Sequence, residues 1–164
     1  MIKVFYVYLR QDDPKKSTMK KLERYGLAKK IPLISIYNKI FLTPYVDNYI
    51  LNKDKFLYNE KGIAVIDGSW NLINTIENIK NKNARKIPLL LPVNPVNYGK
   101  PGKLSSLEAI AASLFIMGYN DLAEEIISKY SWSQNFIKTN INPLNDYIKC
   151  NSNDECIEME KSYF

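Results

Sequence analysis

The chain has 164 residues, 46% of them hydrophobic, which is the size and composition of a single folded domain and excludes a disordered tail. Lysine and arginine outnumber aspartate and glutamate 23 to 17, a net charge of +6 that suits an anionic partner such as nucleic acid. Histidine is absent, which removes the commonest general base and metal ligand, and no apolar run approaches the roughly 20 residues of a membrane span.

"IKVFYVYL" (2–9) is a β-rich run. Tyr6, Tyr8 and Arg10 alternate, and no small-residue cleavage site follows, so it reads as a first strand rather than a signal peptide. A cytoplasmic protein is expected. Ser17 or Thr18 caps a short helix, "MKKLERYG", that stops at Gly26. "LISIYN" (33–38) and "IFLTP" (40–44) read as short strands, and the polar, aromatic stretch 45–62 as a bridge. "GIAVIDGSW" (62–70) is a buried strand. "SWNLINTIENIKNKNA" (69–84) is a helix with Leu72, Ile73, Ile76 and Ile79 on one stripe, and "KIPLLLP" (86–92) is a further buried strand. That rhythm predicts a βαβ unit and a parallel sheet.

The second half is helical. Ser105 and Glu108 form a capping box. Leu107, Ile110, Ala111 and Leu114 share one face, and Gly118 stands where a helix-ending glycine belongs. Asp121–Tyr130 is a second helix. Residues 131–150 are a third, broken near Pro143, and the acidic tail adds a last turn. Cys150 and Cys156 cannot complete a zinc site alone, and packing is their expected role.

Three loops leave the carboxyl ends of expected buried strands: "LTPY" (42–45), "DGSW" (67–70) and "PVNPVNYGKPGKLS" (92–105). Ligands collect at such loops in open α/β sheets. Pro88, Pro92, Pro95 and Pro101 stiffen the third, while Asn94, Asn97 and the glycines keep backbone groups available. A loop that merely covers the sheet is the alternative. No glycine-rich dinucleotide fingerprint, no P-loop and no Ser–His or Cys–His pair is present. An acid or base must then be a carboxylate, lysine or tyrosine, and Asp67 is the best placed. Asp67 or Ser69 as a plain helix cap is equally compatible. Trp70 either stacks on a ligand or packs in the core. "DDPKKSTMKK" (12–21) reads as an anion-binding turn or as a solvated basic face.

In order and spacing, "DPKKST", "LTP", "DGSW" and above all "PVNPVNYGKPGKLSSLEAIAASLFIMGY" resemble the small-subunit (18S/16S) rRNA aminocarboxypropyltransferases, a SPOUT-like family shared by archaea and eukaryotes. The resemblance spans residues 1–150 and points to an archaeal member. The family's usual "DCSW" is "DGSW" here, and Met19 follows "KKST".

The resemblance implies an α/β fold with a SPOUT-like parallel sheet and a deep trefoil knot. It implies a small N-terminal α/β region (1–60) and a cofactor-binding region with C-terminal helices (61–164), together one compact unit. It implies S-adenosylmethionine (SAM) as group donor, with no metal. The 3-amino-3-carboxypropyl group passes to N3 of a uridine or (methyl)pseudouridine in small-subunit rRNA, and 5′-methylthioadenosine leaves. In matching positions, Thr18 anchors the amino-acid end of the donor. Leu42, Pro44 and Trp70 flank ribose and adenine. Ile66, Leu90, Tyr98, Gly99, Lys103, Leu104 and Ser105 read the nucleoside, largely through backbone. Asp67 assists loss of the N3 proton. Lys15, Lys16, Lys20, Lys21, Lys100 and Lys103 meet RNA phosphates. The expected partner is the rRNA or the pre-ribosomal subunit, with no membrane, and the expected state is a monomer. A SAM-dependent methyltransferase of the same class and a non-catalytic rRNA-binding assembly factor are the alternatives.

Overall fold

The computed structural model describes residues 1–9, 17–67 and 81–164. Five parallel strands form one sheet in the order β2-β1-β4-β3-β5. They are β1 (Val4–Tyr8), β2 (Lys29–Lys30), β3 (Ile40–Leu42), β4 (Ile63–Asp67) and β5 (Ala84–Arg85). β4 is the hub. It pairs with β1 from Val4↔Ile63 to Tyr8↔Asp67 and with β3 at Ile40↔Ile63. The period of two sorts its side chains: Ile63 and Val65 enter the main core, while Ala64 and Ile66 face a smaller cluster with Val7 and Phe41. The outer strand β2 is two exposed lysines, a composition that discourages edge-to-edge pairing.

α1 (Thr18–Arg24) begins at Ser17, whose side chain accepts from Lys20 N–H. Residues 33–38, expected as a strand, form a 3₁₀ helix. Only Ile36 of that run reaches the core, whereas Ile34 is 79% exposed, so alternation fails. Asn81 Nδ2 also bonds Ile36 O and Lys39 O, closing the turn. The bridge at 45–62 contains a 3₁₀ turn (Asn52–Asp54) and α2 (Lys55–Lys61). Buried Asp54 ties this region to Arg85 at 3.3 Å.

The expected helix at 69–84 falls mostly outside the described residues, its apolar stripe included. Its last residues are not helical: Asn83 N–H bonds Asn81 Oδ1, and Ala84 opens β5. The expected strand at 86–92 is also corrected, since the sheet ends at Arg85 apart from a bridge between Tyr49 and Lys86. Pro88 and Pro92 lack an N–H, so no neighbour could pair with this run along its length.

α3 (Ser106–Ile116) starts with the expected capping box and is almost wholly buried. It packs on α4 (Asn120–Ile127), α6 (Ile141–Ile148), α1 and β4. Gly118 follows it with φ +96°, the left-handed backbone that favours glycine. α4 ends at Ile127, short of the expected Tyr130. The break in residues 131–150 falls at Asn140, between α5 (Phe136–Thr139) and α6, not at Pro143. Pro143 lies in the first turn of α6, where a missing N–H leaves no helix bond unmade. The tail forms a full helix, α7 (Asn153–Lys161), capped by Ser152. Cys150 and Cys156 are free and buried, and burial pushes both thiols up.

Candidate functional site

The parallel sheet brings the carboxyl ends of β1, β4, β3 and β5 to one edge. Asp67 terminates β4 beside Tyr8, and Leu9 N–H bonds Asp67 O at 3.2 Å. Its carboxylate is half-buried and approached by two helix starts. Ser17, the cap of α1, donates its hydroxyl to Oδ2. Ser106, the first residue of α3, donates to Oδ1 at 3.4 Å. Both oxygens are therefore oriented before any ligand arrives. Thr18 follows the cap directly and is half-buried.

Leu42 is buried at the end of β3, and Pro44 is exposed just beyond it. Thr43 N–H bonds Arg85 O at 2.9 Å and seats this loop against β5. Leu90 is fully buried and Leu104 half-buried, both in the same core layer as Leu42. Ile66 faces the opposite side of the sheet, so only its backbone lies on this edge. Trp70, Lys15 and Lys16 lie outside the described residues.

The proline-rich segment doubles back on itself. Gly102 N–H bonds Leu90 O and Gly99 N–H bonds Pro92 O, both at 3.0 Å. Gly102 has φ +80°, and a Cβ there would stand 2.9 Å from Leu89 Cδ2, so the return needs glycine. Tyr98 (73% exposed), Gly99, Lys100 and Lys103 project at its tip, and Ser105 closes it as the cap of α3. Asn94 differs from expectation. It is buried and pins the loop, accepting from Asn97 N–H at 2.9 Å and donating to Lys103 O and Glu108 Oε1.

Lys20 and Lys21 sit on α1 with their ammonium groups 4.0 and 3.9 Å from the ring centres of Tyr8 and Tyr130. Tyr130 also meets Trp132 at 5.4 Å. Burial raises the Tyr130 hydroxyl, Arg24 opposes this, and Asp67 and Tyr25 add to it. The basic face of α1 is thus continuous with aromatic surface close to Asp67.

The family described as "Ribosome biogenesis protein, C-terminal" matches residues 40–164. The 16S rRNA aminocarboxypropyltransferase of Thermoplasma volcanium is 51% identical over 164 residues, covering 100% of this chain and 99% of the relative. The chain belongs to the 16S rRNA aminocarboxypropyltransferase family. The Thermoplasma acidophilum relative of the same name is 47% identical over 100% of both chains. The solved SAM-dependent rRNA:acp-transferase Tsr3 from Vulcanisaeta distributa superposes with a TM-score of 0.85 at 32% identity, covering 99% of this chain and 98% of that one.

For an aminocarboxypropyltransferase the residues present suit a SAM donor. A carboxylate with both oxygens oriented stands at the sheet edge to face a cationic group, and half-buried Leu104 packs on the core that holds Leu42 and Leu90. Among the described residues, no cluster of three or more His, Cys, Asp or Glu is placed to hold a metal ion, and no helix is long and apolar enough to cross a membrane. Sequence reasoning missed Ser106 as a partner of Asp67. It also missed Glu108, whose carboxylate serves the capping box and the loop together. Ser106 carried no signal beyond its place after a cap. Glu108 did, because a capping glutamate beside an asparagine-rich loop has a second oxygen to spend.

Proposed function

We propose that this chain transfers the 3-amino-3-carboxypropyl group of SAM to N3 of a uridine-type base in small-subunit rRNA. The observation that carries the reading is the oriented Asp67 carboxylate at the sheet edge, in a chain with full-length relatives named for this activity. The donor supplies a positively charged sulfur whose three carbons are all open to attack. A bond forms between N3 and the methylene next to sulfur on the amino-acid arm. The carbon–sulfur bond breaks, its electron pair stays on sulfur, and neutral 5′-methylthioadenosine leaves. The N3 proton goes to Asp67 or to solvent through it. The protein's contribution is chiefly orientation, shielding the methyl and presenting the methylene.

Within this reading Thr18, Leu42, Pro44 and Trp70, with the backbone at Ile66, Leu90 and 98–105, hold the donor. Lys15, Lys16, Lys20, Lys21, Lys100 and Lys103 face RNA phosphates. The all-parallel sheet with β4 inserted between β1 and β3 supports assignment to the SPOUT-like class, with its deep trefoil knot. Regions 1–60 and 61–164 act as one unit, since strands of both interleave in one sheet. The protein works as a cytoplasmic monomer.

The test uses two preparations of SAM, one labelled in the methyl and one in the carboxyl group, with small-subunit rRNA as acceptor. Carboxyl label in the RNA supports the proposal. Methyl label assigns a methyltransferase, and no label from either assigns an assembly factor.

A further inference from the structure

Leu89–Val93 lies outside the sheet, yet its backbone is held as a strand's would be. Leu89 N–H donates to Glu160 Oε1 at 2.8 Å, Leu91 N–H to Asn140 Oδ1 at 2.8 Å, and Val93 N–H to Glu108 Oε2 at 2.7 Å. Return bonds complete the row: Tyr147 OH donates to Leu89 O and Asn140 Nδ2 to Leu91 O, each at 2.8 Å. The spacing is two residues, the repeat of an extended chain. Odd positions face the helices. The carbonyls of Leu90 and Pro92 face the returning loop.

The side chains that accept from its amides come from three places in the helical half: α3, the α5–α6 junction and α7. Asn140 is 1% exposed and Glu108 is fully buried, and Asn140 is oriented further by a bond to Phe136 O at 3.0 Å. Glu160 reaches further still. Its other oxygen accepts from Tyr49 OH at 2.8 Å, so one carboxylate ties the chain after β3 to the chain after β5. Burying polar side chains to hold a backbone costs desolvation that an ordinary neighbouring strand would avoid. What the arrangement secures is fixed placement of a segment whose opposite edge carries the returning proline loop.

We propose that Glu160, Asn140 and Glu108 are positioning residues for group transfer: by gripping alternate amides of Leu89–Val93 they hold this segment and, through Leu90 O and Pro92 O, the returning proline loop where that loop sets which sulfonium carbon faces the acceptor. This rests on the donor-binding reading above.

The experiment compares Glu160→Ala, Glu160→Gln and Asn153→Ala with the wild-type chain. Gln keeps an acceptor for Leu89 N–H. Asn153 lies on the same helix, and its side chain bonds Tyr49 N–H and Asn48 rather than the backbone of 89–93. Transfer of carboxyl-labelled SAM to rRNA gives kcat and KM, calorimetry gives SAM affinity, and melting reports stability. Glu160→Ala lowers kcat at saturating donor and weakens SAM binding, each by about tenfold or more. Glu160→Gln restores both to within about threefold. Asn153→Ala melts earlier with kcat and SAM affinity intact. Tyr147→Phe, which deletes only the hydroxyl on Leu89 O, replaces Glu160→Ala should that variant not fold, with the same losses expected. Equal losses in Glu160→Ala and Asn153→Ala, or no rescue by Gln, overturn the inference. A wild-type chain that binds SAM but transfers no carboxyl label sinks the transfer reading instead, and SAM affinity across the same variants still decides the grip.

Discussion

The hydroxyl of Ser17 does two jobs, accepting from Lys20 N–H to cap α1 and donating to the Asp67 carboxylate. A cap is thereby welded to the end of β4. Ser17→Ala removes both bonds, and loss of the cap alone costs about 1 kcal/mol. Urea denaturation should show at least that loss, with Ser17→Thr recovering most of it. A Ser17→Ala chain as stable as wild type would mean the hydroxyl bonds to water as well as it bonds here.

Asp67→Asn keeps the shape of the site and one acceptor oxygen. If the carboxylate takes the N3 proton, single-turnover transfer falls by about 10²–10⁴-fold. The melting temperature moves little, because Asn still accepts from one of the two serines. Transfer within a fewfold of wild type removes Asp67 from proton handling.

Gly26 and Gly62 share nearly the same φ, +74° and +76°, in different surroundings. A Cβ on Gly26 meets nothing within 4 Å, whereas on Gly62 it stands 2.6 Å from Phe5 Cε2 and 2.7 Å from Lys3 O. Gly26→Ala should therefore cost about 1 kcal/mol, from left-handed backbone alone. Gly62→Ala should cost about 1–3 kcal/mol more, because a backbone oxygen cannot step aside. Equal costs by chemical denaturation would contradict the close packing of β1 against the start of β4.

Burial lifts the hydroxyl of Tyr58 to about 12 and pushes Tyr6, Tyr49 and Tyr147 up as well. The unfolded chain releases these protons near pH 10, and the native chain holds them longer. Above that point the native state binds more protons, so stability falls as pH rises; below it the contribution is complete. The melting temperature should drop steeply between about pH 10 and 12. Ionisation of every tyrosine at about pH 10 with no change in melting would refute it.

Lys100 and Lys103 stand exposed at the tip of the proline loop. Replacing both by Gln should weaken binding to a single-stranded rRNA fragment. The slope of log K against log salt should fall by about 0.7 for each phosphate that is no longer neutralised. An unchanged slope places the RNA elsewhere.

Legibility from sequence followed the reach of the physics. β4 and the capping box of α3 are local patterns, and Asp67 and Ser105 were readable from them. Residues 33–38 misled because β-branched and aromatic residues suggest a strand, while the folded chain buries only Ile36. The run at 86–92 looked like a buried strand and is buried at Pro88, Leu90 and Pro92, but its partners are side chains: Glu160 acts on Leu89 from 71 positions away, and no local repeat announces it. The meeting of Ser17 and Ser106 on Asp67 likewise needs three distant segments in register.

The place of β4 in the sheet also governs how the molecule can assemble. β1 and β3 do not pair with each other; β4 lies between them and pairs with both. As the chain leaves the ribosome, its first strand must wait beside β2 alone until residues 63–67 emerge, a long interval before the central ladder can zip. Such distant pairing slows folding and leaves edges open meanwhile. The charged lysine rim on β2 is then a safeguard during synthesis as much as in the finished protein.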